Sequence, residues 1–121
     1  MFDINKCEKI ILPQGAIYLG SSDKKKSVGY LELNPFTSLS LHNRPAIENL
    51  IQIKGRCNMV VYKKEKGETF LLKSGEKLTI SEPYIWHIHV NPYKEVSLTY
   101  WDFDGDIRET IEAIRKITKA S

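Results

Sequence analysis

Histidine is scarce in this chain, three in 121 residues, and cysteine is scarcer still at two. Cys7 and Cys57 stand fifty residues apart with no Cys-x-x-Cys pair, so neither a zinc knuckle nor a disulfide framework is implied, and a buried, idle thiol is expected. Charge of one sign is lacking too. Eighteen Lys and Arg against fifteen Asp and Glu leave +3, too weak a balance to flag a nucleic-acid domain. Lys24, Lys25 and Lys26, and Lys63, Lys64 and Lys66, read as solvated loop charges. Long apolar runs are missing, so no membrane span or signal-peptide core is expected, and the default location is the cytoplasm. The sequence holds no Gly-rich phosphate loop, no Gly-x-Ser-x-Gly elbow and no Cys beside a His.

What is present is ordinary globular material, 41% hydrophobic and 27% charged, sized for one domain over residues 1–121. Short β-rich stretches alternate with turn residues as far as residue 103, and helical periodicity comes only after it. Strands are expected at Lys9 to Leu12, Ala16 to Leu19, Val28 to Leu33, Thr37 to Leu41, Ile47 to Ile53, Cys57 to Lys63, Glu68 to Leu72, Lys77 to Ile80, Ile85 to Val90 and Glu95 to Phe103. Beyond them Ile107, Ile111, Ile114 and Ile117 form one apolar stripe, which predicts a helix over 106–119 docked on the strands. Asp106 is placed to cap the amide of Glu109, with Glu109 as the acid of a capping box, and Arg115, Lys116 and Lys119 suit the helix C-terminus. The class is therefore an all-β barrel or sandwich with a terminal helix.

Strand alternation gathers the polar residues. Period two puts Ser38, Ser40, His42 and Arg44 on one side with Leu39 and Leu41 on the other; it also puts Glu48 with Leu50 and Gln52, and His87 with His89. If these sides face inward, a cavity collects imidazoles, a carboxylate, an amide and a guanidinium. Imidazoles and a carboxylate are ligands for a divalent transition ion, and fewer than a closed set leaves room for substrate. Trp86, next to His87 in the strand, is expected to face outward, and the crowd of Tyr84, Trp86, Tyr93, Tyr100, Trp101 and Phe103 reads as core or subunit interface.

The spacing of these residues resembles the cupin superfamily. His42, Glu48 and Gly55 match its first motif, although Phe36 stands where glycine is usual and Arg44 replaces the second histidine. Gly75, His87 and Asn91 match its second, although Ser81 stands at the proline position, Pro83 comes two residues late and His87 one. The resemblance covers about residues 28–103, and Thr69 to Pro92 is also similar to the cupin domain of type II phosphomannose isomerases. It implies a double-stranded β-helix, or jelly-roll barrel, with His42, Glu48 and His87 as metal ligands. His89 is a further candidate ligand from the same face as His87, about 6.5 to 7 Å away along the strand. It also implies a divalent ion such as Mn, Fe, Ni or Zn, a small polar metabolite as substrate, isomerisation or dioxygenation as chemistry, and a homodimer. Arg44 cannot ligate a metal, since it carries no free lone pair and stays protonated. With Gln52 and Ser40 it is a candidate for holding substrate. The alternative is a metal-free module in which Arg44 and Glu48 pair, and the pocket binds or senses an anion or a sugar without turnover.

Overall fold

The computed structural model describes residues 1–120, with side chains as far as residue 116. All ten expected strands are present: β1 (Glu8–Leu12), β2 (Gly15–Ser22), β3 (Lys26–Leu33), β4 (Thr37–Ser38), β5 (Ile47–Lys54), β6 (Cys57–Lys63), β7 (Lys66–Leu72), β8 (Lys77–Ile80), β9 (Trp86–Asn91) and β10 (Ser97–Asp104). A short 3-10 turn at Ile4–Lys6, not foreseen from the sequence, precedes them, and helix α1 (Arg108–Ala120) follows. No helix among the described residues is long and apolar enough to cross a membrane.

The strands form two antiparallel sheets, a six-stranded one in the order β1-β2-β3-β10-β5-β8 and a four-stranded one in the order β4-β9-β6-β7. Alternation decides what goes between them. Leu50 from β5, Met59 from β6, and Trp101 and Phe103 from β10 all point into one buried cluster. Gly29 pairs with Trp101 across β3 and β10, and a Cβ there would stand 2.3 Å from the indole, so glycine is what lets that ring lie flat in the core. At the β5–β6 turn Gly55 has φ +67°, and a Cβ would meet the Val96 carbonyl oxygen at 2.3 Å, which accounts for glycine at this motif position.

Tyr100 faces the opposite way from Trp101 but is buried as well. It stacks edge-on to Tyr30, ring centroids 5.3 Å apart, in a second cluster under the N-terminal segment; the Tyr30 hydroxyl donates to the carbonyl of Phe2 at 2.5 Å. Trp86 is exposed, as the alternation requires.

Two local expectations need correction. The segment after β4 is not a strand to Leu41: it keeps only a β-bridge at His42, and the intervening irregularity exchanges the expected sides of Leu39 and Ser40, while Leu41, His42 and Arg44 keep theirs. Leu39 lines the interior cavity while Ser40 and Leu41 are exposed. The helix starts two residues later than expected, because the Asp106 carboxylate accepts from the amide of Arg108 at 3.2 Å and forks with the Arg108 guanidinium at 2.8 and 2.9 Å. Glu109 therefore lies in the first turn without the reciprocal capping box. Ile107 and Ile111 are buried against the barrel, and Arg115 holds α1 to β1 through both oxygens of Glu8. The side chains of Ile117 and Lys119 lie outside the described residues.

Candidate metal centre

His42 and His87 are brought together by backbone pairing. Each amide donates to the other residue's carbonyl, His42 to His87 at 3.1 Å and His87 to His42 at 2.9 Å, so the two side chains are cross-strand neighbours on one face. Two residues further along β9, His89 projects from that same face. The ring centroids are 4.3 Å apart for His42 and His87, and 5.5 Å for each of the other two pairs.

The tautomers of two rings follow from their partners. Nδ1 of His42 lies 2.7 Å from the Ser40 carbonyl oxygen, and Nδ1 of His87 lies 2.8 Å from that of Ile85. A carbonyl only accepts, so each Nδ1 carries the proton and each Nε2 keeps a lone pair. Backbone carbonyls that hold one imidazole nitrogen and free the other are the usual outer support of metal-binding histidines. Burial, with the Arg44 charge second and His87 third, pushes the His42 pKa down to about 3, so its ring is neutral near pH 7. His89 is likewise held well below its ordinary value, chiefly by burial.

Among the described residues, three buried side-chain atoms have no hydrogen-bond partner: Nε2 of His87, Nδ1 of His89 and Oε2 of Glu48. Buried polar atoms are rarely left so, and a lone pair is satisfied by a hydrogen-bond donor, a proton or a cation. One ligand nitrogen from each of the three histidines lies within 4.8 Å of the others. Two ligands on one ion with bonds of about 2.1 Å are at most about 4.2 Å apart, so the trio stands close to coordinating distance. The donor set therefore fits a divalent transition ion.

The other expected site residues separate into two groups. Glu48, on β5, sits at the edge of the trio with Oε2 3.3 Å from His87 Nε2. Arg44 lines the same cavity, giving one N–H to the Asn43 carbonyl at 3.1 Å. The bidentate Arg44–Glu48 pair of the metal-free alternative is not formed, since the close partner of Glu48 is His87. Gln52 and Ser40 are not part of the site. Gln52 is fully buried, donating to Ser97 Oγ and the Lys54 carbonyl and accepting from Thr99 Oγ1, so its amide is spent on holding β5 to β10. Ser40 is exposed and contributes only its carbonyl, to His42. Cys57 is buried and free, and burial pushes its thiol up to about 11, as an idle thiol would be.

Sequence reasoning did not foresee that α1 builds part of the wall. Ile107, Thr110, Ile111 and Ile114 line the cavity together with Leu39, Trp101 and Phe103. The apolar stripe was legible, but nothing in it says which end of the barrel it covers. About 40 Å³ is open to the centres of water-sized molecules, room for an ion's open positions and a ligand of few atoms.

No family model and no characterised protein sequence matches the chain. Solved structures do. An oxalate oxidase superposes with a TM-score of 0.71 at 16% identity, over 86% of this chain and 58% of its own. An oxalate decarboxylase of Bacillus subtilis gives 0.76 at 21%, over 85% and 29%, and vicilin of Solanum lycopersicum (tomato) gives 0.75 at 15%, over 86% and 32%. The fold is the cupin jelly roll. This chain thus spans less than two thirds of each of these cupin structures, and the likeness is one of architecture. Another of the matching structures concerns the Mn(II) centers of the Bacillus decarboxylase. Within the cupin barrel of this chain, the trio comes from the bridge at His42 and from β9, and Arg44 occupies the position of the motif's second histidine.

Proposed function

We propose that the barrel holds one divalent transition ion, Mn, Fe, Ni or Zn, on His42, His87 and His89 with Glu48 completing the set, and acts on a small organic molecule bound beside it. The observation that carries this reading is the clustering of buried side-chain atoms without a hydrogen-bond partner, Nε2 of His87, Nδ1 of His89 and Oε2 of Glu48, with the three histidines gathered within 4.8 Å and Glu48 3.3 Å from His87. His89 takes over the ligand role that Arg44 cannot fill.

A bound ion with open positions supplies Lewis-acid polarisation of a ligand oxygen and is the setting for oxygen chemistry. The chain's own residues do the rest. The Ser40 and Ile85 carbonyls fix the imidazoles, Arg44 attracts the negative end of a ligand, and the α1 isoleucines exclude water. Of the two chemistries implied by the resemblance, dioxygenation suits this cavity better than isomerisation of a sugar-like substrate. A sugar needs many hydrogen-bonding partners, and most of this wall offers none. The similarity to phosphomannose isomerases is therefore the weaker guide. A homodimer and a cytoplasmic location complete the proposal and rest on the resemblance and the composition.

The metal-free module stands second, supported by Arg44 at a ligand position but leaving His89 Nδ1 without a partner. Loading chelator-stripped protein with Co(II) separates the two. The proposal expects visible d–d bands that saturate at about one ion per chain and vanish in His87→Ala. A featureless titration refutes it.

A further inference from the structure

The ligand's chemical class can be read from what the cavity offers besides the acceptors. Among the described residues Arg44 is the one cationic side chain lining it, and no carboxylate lies within the 4 Å of an ion pair. Its guanidinium is half-buried, and among the described residues only one of its five N–H groups has a protein acceptor, the Asn43 carbonyl. A desolvated guanidinium short of acceptors matches the forked oxygens of one carboxylate. Apart from the metal-site face of His42, Glu48 and His89, and Thr110, the rest of the wall is of the opposite character. Leu39, Trp101, Phe103, Ile111 and Ile114 present hydrocarbon, and a second ligand charge laid against them would be stripped of water without compensation. The cavity's size limits the ligand to a few heavy atoms.

We propose that the cavity takes a short monocarboxylic acid with a hydrocarbon tail, about the size of isobutyrate, its carboxylate on Arg44 and its tail against the Leu39, Trp101, Phe103 and α1 isoleucine wall. The carboxylate's approach to an ion rests on the metal reading above, whereas the ligand class rests on Arg44 and the wall. Such an acid differs from oxalate, after which two of the structural neighbours are named, in having one charged end and one apolar end.

The test is calorimetric titration of the zinc-loaded full chain with isobutyrate and with methylmalonate, which replaces one methyl of isobutyrate by a second carboxylate. Zinc content is measured on the same samples. Isobutyrate should bind saturably and methylmalonate about tenfold or more weaker, because its second carboxylate meets hydrocarbon. In samples that hold zinc at the same stoichiometry, Arg44→Gln should weaken isobutyrate about tenfold or more, and Arg44→Lys should weaken it less. Methylmalonate binding as tightly as isobutyrate, an affinity indifferent to Arg44→Gln, or zinc-loaded protein that ignores isobutyrate overturns the proposal. Protein that takes up no zinc yet binds isobutyrate through Arg44 keeps the ligand class and refutes the metal reading, so the two failures are distinct.

Discussion

Oε2 of Glu48 lies 3.3 Å from Nε2 of His87, and neither atom has a hydrogen-bond partner. Both residues are buried, at 2% and 1% exposure. With the His87 proton committed to Nδ1, two lone pairs face each other, an arrangement that a shared cation relieves. The proposed metal centre is built around this contact.

Glu48→Gln tests the contact directly. The new amide can donate to His87 Nε2, so the metal-free variant should be more stable than metal-free wild type by about 1 to 3 kcal/mol, the cost of leaving a buried polar group unsatisfied. Its affinity for a divalent ion should fall, because an anionic ligand is gone. Urea denaturation of both stripped proteins checks the first point; equal or lower stability of the variant would contradict an unsatisfied contact.

Arg44→His should raise metal affinity by about tenfold or more, since it exchanges a positive charge beside the ion for a fourth imidazole at the motif position. Competition against a chelator of known strength measures this. An affinity that falls would place Arg44 outside the ion's surroundings.

The metal-free protein should lose stability on acidification. Folding holds the His42 pKa down to about 3 and that of His89 below its ordinary value, so the unfolded chain binds protons at these sites that the native state refuses. Stability is then full above the unfolded value of about 6.5 and falls as pH drops below it toward the folded value. Melting temperatures between pH 7.5 and 4.5 show the slope, and His42→Gln should flatten it. A pH-independent wild type would contradict the neutral-imidazole assignment.

The strands were legible because Pro, Gly and Asn punctuate short alternating runs, and period two placed His87 and His89 on one side and Glu48 with Leu50, leaving the structure to show that these sides face inward. Alternation failed where the chain leaves the sheet. Between Ser38 and His42 only a bridge remains, so Leu39 turned inward and Ser40 outward. Gln52 was on the expected side but its partners, Ser97 and Thr99, come from a strand 45 residues or more away, and no local pattern reveals that they consume its amide. Phe36, where the motif has glycine, does adopt φ +59°, so the backbone kept the turn although the residue changed.

Ile111→Asp tests the role of α1 as a wall. The side chain is buried at 4% exposure, and an uncompensated carboxylate there should cost about 3 kcal/mol or more, read by chemical denaturation. If the variant unfolds like wild type, the helix is not docked as described.

The central claim is that the three histidines and Glu48 hold one ion, and elemental analysis after loading with Mn, Fe, Ni or Zn and exhaustive dialysis tests it most directly. The account predicts about one ion per chain in wild type and a loss of that ion in each of His42→Ala, His87→Ala and His89→Ala, with all three variants still folded. Wild type that retains no ion after any of the four loadings, or that keeps its ion when His87 and His89 are removed together, contradicts it.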